Sequence, residues 1–314
     1  MNSNRPITVS DTENGRYSTF AFIDWWRQEV VRSATVLVAG VGALGNEVVK
    51  NLALIGIGNL IIVDFDVVEY SNLTRSVLFR ETDRGHPKAE VAAARVKDLN
   101  PEVGVRWFHG NIARTLGLGV YRYADVVIGC LDNREARLTV NRACWKVDRP
   151  WIDGGMQELV GEMRLFWPQR GACYECTMTK IDYQMMNQRY SCTSLACDAV
   201  QTGTIPTTPT GSSIIAGLQT QEALKILHGM EVETSKAVVF NGFSNTMYTV
   251  QYECSDHCIS HVTFDPIHIC PELQASTTTL HEMLQYVRGR LGKDARIELD
   301  LSCWSLSNAP MIIP

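Results

Sequence analysis

No stretch of this chain approaches the roughly 20 consecutive apolar residues that a bilayer-spanning helix needs, so nothing calls for a membrane. Basic residues are scattered and form no run, and the formal net charge is -5, which argues against a nucleic-acid surface. Residues 1–20 are polar and carry no apolar core of a secretory leader. No internal repeat is visible. These absences point to a soluble cytoplasmic protein. What is present is a 45% hydrophobic composition over 314 residues, enough for one large α/β domain plus appendages or for two domains. There are ten cysteines, two of them in Cys173-x-x-Cys176. Without a leader, that spacing favours metal binding or catalysis over disulfides.

The chain is organised around residues 35–66. Val36 to Ala39 is a short apolar run of β-forming residues. Gly40, Gly42 and Gly45 follow in G-x-G-x-x-G spacing. Asn46 to Ile55 reads as a helix with Val48, Val49, Leu52 and Ile55 on its buried face, and Leu60 to Val63 as a second strand ending at Asp64. Glycines at a strand-to-helix turn let the backbone approach a phosphate, and the helix N-terminus adds partial positive charge. An acid at the end of the second strand suits a ribose hydroxyl. The motif by itself does not separate NAD, FAD and ATP.

Arg16 to Arg32 reads as a helix, with Phe20, Ile23, Trp26 and Val30 at helical spacing. His86-Pro87-Lys88 leads a helix over 89–99, stopped by Asn100-Pro101. Further strands are expected over 103–108, 125–129 and 150–153, with a helix through Lys146 between the last two. This β-α alternation predicts a Rossmann-like, mostly parallel sheet with helices on both faces. The second half differs. Val160 to Trp167 suggests an antiparallel strand ending at a zinc-like corner, and 180–210 is a polar loop of functional length. Ser212 to His228 reads as a helix with Ile214, Leu218, Leu224 and Leu227 inward. Strands are expected over 236–240 and 246–252, an amphipathic helix over 280–291 and a strand over 296–301.

Asp64, Asp66, Asn72, Arg75 and Lys88 follow the glycine turn closely, in the region where open α/β sheets bind ligands. Hydride transfer needs one acid for a ribose and little more. Two cations beside phosphates suit charge development in phosphoryl or nucleotidyl transfer, and Asp132, after a later strand, suits Mg2+. The series V-A-G-V-G-A-L-G, D-F-D, S-N-L-T-R, H-P-K and C-L-D-N resembles the adenylation domain of ubiquitin-activating enzymes. It is similar also to the bacterial adenylyltransferases of thiamine and molybdopterin biosynthesis (ThiF, MoeB and HesA type). The resemblance covers about residues 16–262 and implies a reaction: the C-terminal glycine carboxylate of a ubiquitin-like protein attacks the α-phosphate of MgATP. It implies that Asp64 holds the ribose, that Asn72, Arg75 and Lys88 contact phosphates, that Asp132 binds Mg2+, and that Arg16 reaches a partner's ATP across a homodimer.

Cys173-Y-E-Cys176 and Cys258-I-S-His261 form two ligand pairs suited to tetrahedral Zn2+, with Cys254 as rival to His261. The expected role is structural. The family's thioester-forming cysteine lies in the crossover loop, often before Thr, and Cys192-Thr193 matches it better than Cys197. The alternative is that neither is catalytic. Cys130 and Cys144 read as core thiols. His228, near a helix C-terminus, reads as a dipole contact, and Trp25-Trp26 as helix packing or a dimer face.

The expected division is a flexible N-terminus over 1–15, an adenylation domain over 16–262 and a small C-terminal appendage over 263–314. A single domain with a short loop resembles the bacterial homodimeric form. The appendage would recruit a conjugating enzyme or pack as an arm. The expected function is activation of a ubiquitin-like protein in a bacterial conjugation pathway, with antiphage defence as the specific context. Alternatives are activation of a sulfur carrier and a non-catalytic partner that only binds a ubiquitin-like protein.

Overall fold

The computed structural model describes residues 15–184, 207–267, 270, 272–273 and 277–296. Cys192, Cys197, Cys303 and, beyond Arg296, the strand expected over 296–301 lie outside the described residues.

One eight-stranded sheet carries the fold, in the order β3-β2-β1-β4-β5-β6-β7-β8. β1 (Thr35–Ala39), β2 (Asn59–Asp64), β3 (Gly104–His109), β4 (Val126–Gly129) and β5 (Trp151–Gln157) run parallel. β6 (Val160–Phe166), β7 (Lys236–Asn241) and β8 (Thr246–Gln251) continue it antiparallel. The sheet is thus mixed and mostly parallel in its first half, as the alternation predicts.

β1 is buried along its whole length, the state of a strand covered on both faces. Val36 and Val38 face one core, with α2 (Ala43–Leu54), α3 (Lys88–Leu99) and the long α7 (Pro209–Leu227). Leu37 and Ala39 face the other, with the short α4 (Ile112–Thr115), α5 (Leu118–Tyr123) and α6 (Arg134–Lys146). Val48, Val49 and Leu52 of α2 are fully buried; burial of each such side chain contributes about 1.5–3 kcal/mol. β2 and β4 flank β1, so the chain steps one way from β1 through β2 to β3 and then crosses to the other side of β1 for β4. That opens a crevice at the carboxyl ends of the strands, where ligands bind in such sheets. At the far edge every residue of β8 is exposed. Past β8, Phe264 N–H donates to Lys146 O (2.9 Å) and ties the start of the appendage to α6, and α8 (Leu280–Leu291) follows as expected.

One local expectation needs correction. Arg16 to Arg32 is not one helix: a 3-10 turn over Ser18–Phe22 is followed by α1 (Gln28–Ser33). Arg27 is extended between them, because its N–H donates to His228 Nε2 (3.2 Å) and its Nη2 to His228 O (2.9 Å), while Trp25 and Trp26 pack on the same ring. His228, the C-cap of α7, donates from Nδ1 to Leu224 O (2.8 Å), a contact with the helix end of the kind expected, and accepts from Arg27 at Nε2. On α7 the expected inward residues meet the core, Leu224 buried and Ile214, Leu218 and Leu227 half-buried against it, and Ile215, Ala216, Gln219, Thr220 and Ala223 are buried beside them.

Candidate active site

The glycine turn joins β1 to α2. Gly40 has φ +89, and a Cβ there would stand 2.5 Å from Cys130 O at the end of β4. Gly45 packs so closely that a Cβ would lie 2.0 Å from Gly40 O. Gly42 differs: a Cβ there meets nothing within 4 Å, and the residue lines the cleft. Among the described residues no contact demands glycine at 42; it is the N-cap of α2, and the open space over it leaves room for close approach of a ligand. Gly40→Ala is expected to cost about 2 kcal/mol or more in denaturant unfolding, from positive φ and the clash with backbone. Gly42→Ala is expected to leave the unfolding midpoint nearly unchanged and to weaken nucleotide binding, read by titration calorimetry.

Asn46, fully buried in the first turns of α2, was not anticipated. Its Nδ2 donates to Val41 O (2.7 Å) and its Oδ1 accepts from Leu78 N–H (2.9 Å), which couples the glycine turn to the loop behind the cations.

The cleft beyond the strand ends has a volume of about 650 Å³. It gathers Gly40, Gly42, Asp64, Asp66, Asn72, Arg75, Lys88 and Asp132, as the sequence proposed, and adds the 110–113 turn, Glu135, Arg137, Met156 and Ser212. Cys130 packs against the core as expected and also borders the cleft, with its thiol against Gln219 Oε1 (3.8 Å), and burial pushes that thiol's pKa up.

Asp64 is 8% exposed, and both oxygens accept backbone N–H groups: Val41 on Oδ2 (2.6 Å) and Asp66 on Oδ1 (2.8 Å). It fixes the glycine turn to the loop after β2. Burial raises its pKa, against the opposing effect of those two N–H groups. Lys88, at the start of α3, is nearly buried and donates to Asp66 Oδ2 (2.7 Å). Arg75 Nη1 donates to Ser71 O (2.8 Å), and Asn72 Oδ1 accepts from Glu69 N–H (3.0 Å) within a 3-10 turn over Tyr70–Thr74. Asp132 is exposed at the end of β4 and accepts from Asn133 Nδ2 (3.0 Å). Mg2+ commonly takes one or two carboxylates and completes its shell with phosphates and water, so this open carboxylate fits it. Arg16 does not join the cleft. Its Nη1 donates to Leu99 O (2.8 Å) at the C-terminus of α3.

Cys173, Cys176, Cys258 and His261 bring their donor atoms within 4.8 Å of one another. The neighbouring separations are 3.7 Å (Cys173–Cys176), 3.5 Å (Cys173–Cys258) and 3.4 Å (Cys176–His261 Nε2). An ideal tetrahedron with metal–sulfur bonds near 2.3 Å has edges of about 3.8 Å, so the donor set fits zinc. Cys254 is exposed beside Cys176 and is not among the four. Burial lowers the pKa of His261, against Glu175, which suits a neutral imidazole ligand. Its ring stacks on Trp145 at 4.0 Å. Between the ligands, buried Glu175 accepts from Arg142 of α6 (2.8 Å), Tyr183 (2.6 Å) and Ser260. Burial alone would raise its pKa; these three donors hold it below the ordinary value. The corner thus joins β6, the segment after β8, and α6, whose first turn borders the cleft.

Residues 15–259 match the model of the ThiF family. The SAMP-activating enzyme E1 of Haloferax volcanii is 30% identical over 262 residues, covering 80% of this chain and 90% of that protein. The ubiquitin-like modifier-activating enzyme 5 of Bombyx mori is 32% identical over 212 residues, covering 63% of this chain and only 52% of that one. E. coli MccB, solved with ATP, superposes with a TM-score of 0.64 over 80% of this chain and 75% of its own, at 24% identity, a likeness of fold.

Proposed function

Since the chain belongs to the ThiF family, whose model matches residues 15–259, we propose that it uses ATP to adenylate the C-terminal glycine of a ubiquitin-like protein. The observation that carries this is the cleft itself: an open Gly42, two cations and Asp132 meet at the point where the strand order reverses. The turn and the α2 N-terminus would cradle the phosphates. Lys88 and Arg75 would offset the charge that grows on the α-phosphate as the glycine carboxylate oxygen bonds to phosphorus and pyrophosphate departs. Asp132 would hold Mg2+, which neutralises the outer phosphates when bound. Zinc at Cys173, Cys176, Cys258 and His261 would be structural. The name of the silkworm relative supports a protein substrate of ubiquitin type.

In the second step the Cys192 thiolate would attack the acyl carbonyl and release AMP, leaving a thioester for a conjugating enzyme. The R-Y-S-C-T loop and the 263–314 appendage favour such a pathway, with antiphage defence as its setting, over sulfur-carrier activation. Phe65, Val67 and Tyr70, left exposed beside the cleft, support a homodimer in which Arg16 serves the partner's nucleotide. The adenylation domain would span 16–262.

ATP–pyrophosphate exchange that depends on an added ubiquitin-fold protein ending in glycine tests the first step. Its absence with every such carrier would favour a non-catalytic binding partner. A thiol-sensitive adduct on a non-reducing gel tests the second, and one that persists in Cys192→Ala would remove that residue from the reaction.

A further inference from the structure

A fifth sulfur stands beside the zinc donor set and takes no part in it. Cys254 follows β8, is exposed, and has the Cys176 thiol as its neighbour. The next residue, Ser255, donates its backbone N–H to Cys176 Sγ (3.5 Å). Covalent geometry between a Cα and the following nitrogen then holds the Cys254 Cα within about 6 Å of that sulfur. A disulfide, whose Cα atoms lie about 4.4–6.8 Å apart, is compatible with that approach.

The four donors are not equally reachable. Cys173 is fully buried, and His261 lies flat against the Trp145 ring. Cys176 is half-buried, and of the four it is the one set beside Cys254. Metal binding does not account for Cys254, which lies outside the donor set. An exposed thiol meets soluble oxidants first, and a neighbouring thiolate can resolve the sulfenic acid that forms on it.

We propose that Cys254 and Cys176 form a peroxide-driven disulfide that opens the zinc site. Cys254, as its thiolate, attacks the O–O bond of hydrogen peroxide; its sulfur becomes a sulfenic acid and hydroxide leaves. The Cys176 sulfur attacks that oxidised sulfur, the S–O bond breaks, a second hydroxide leaves and the S–S bond forms. The Cys254 thiol, the metal-bound Cys176 thiolate, one peroxide and one proton give one disulfide and two waters, with two electrons passing from sulfur to oxygen. Cys176 is lost to the metal in the same step. Cys173, Cys258 and His261 remain, one donor short of a closed tetrahedral site. Glu175, adjacent to Cys176 in the chain, loses its fixed position, and its hold on Arg142 of α6 loosens with it. The corner thereby passes oxidation on to the helix whose first turn borders the cleft. None of this depends on the adenylation reading, because the disulfide and the metal are both read directly.

The test treats the zinc-loaded full chain, as wild type and as Cys254→Ser, with hydrogen peroxide in the presence of a chromogenic zinc chelator. Before oxidation both proteins are expected to hold one zinc and to share one unfolding midpoint. Under peroxide the wild type should release zinc about tenfold or more faster than Cys254→Ser. Its Tm should fall on the order of 10 °C. Non-reducing peptide mapping should find a Cys176–Cys254 link in proportion to the zinc released, and dithiothreitol with added Zn2+ should restore metal and Tm. Equal zinc release from the two proteins would overturn the proposal. So would a link from Cys254 to a different cysteine, or a Cys176–Cys254 link formed with zinc retained. Mapping of the wild type judges the disulfide without recourse to the variant.

Discussion

Lys88→Ala is expected to lower carrier-dependent pyrophosphate exchange by about 10²–10³-fold at saturating ATP, the usual consequence of removing one preorganised group from developing charge. The geometry makes the effect large. Lys88 is nearly buried at the N-terminal end of α3, and Asp66 holds its Nζ at 2.7 Å. The ammonium is thus fixed in the cleft wall before any nucleotide arrives, and little reorganisation remains for the reaction. The fold should be nearly indifferent. Asp66 stays 43% exposed and can be solvated when its partner is gone, so the stability change should stay within about 1 kcal/mol. Asp66→Asn separates holding from charge: it frees Lys88 and should cost a smaller factor, on the order of tenfold. Exchange rates with unfolding curves on the same preparations check this. Wild-type exchange in Lys88→Ala would take Lys88 out of the transition state.

Stripping zinc is expected to produce the largest structural effect. Four donors close a loop between Cys173 and His261, and binding free energy at such sites is on the order of 10 kcal/mol. The loss should spread along the hydrogen bonds that Glu175 gathers from α6, Tyr183 and Ser260, and to the Trp145 ring stacked on His261. One zinc per chain is expected by elemental analysis. Cys258→Ser should lose it with a fall in Tm on the order of 10 °C. Cys254→Ser should retain metal and midpoint, because Cys254 stands outside the donor set. Metal-free wild-type protein with an unchanged midpoint would remove the structural role.

The nucleotide half of the fold was legible because its signals are local. A β-rich run, glycines at fixed spacing and a helix period specify a strand–turn–helix–strand unit without reference to distant residues, and Thr35–Asp64 folds accordingly. The cysteine and histidine pairs were legible for the same reason: x-x spacing within each pair is local, and thiolate with imidazole narrows the metal. Arg16 to Arg32 was misread because the contact that breaks its helix comes from His228, 201 residues away from Arg27. No window along the sequence contains that contact. The inward face of α7 was legible in its apolar residues but not in Gln219 and Thr220, polar residues that hydropathy assigns to the surface and that the same seam buries. Gln219 Nε2 donates to Gly129 O (2.8 Å) in the core, so its burial is satisfied.

The amino-acid sequence by itself determined the fold class, the glycine cradle, the cations beside it and the two ligand pairs, since each is written in residues a few positions apart. Tertiary structure alone decided which groups meet across the sheet. It set Gly42 against open space and brought Cys130 to the border of the cleft. It fastened Lys88 to Asp66 and joined Arg137 to Asp153 at the far wall. The reason is topological. Parallel strands bring the residues that follow β1, β2, β4 and β5 to one edge, so the chemistry of that edge belongs to strand order, which no local pattern encodes.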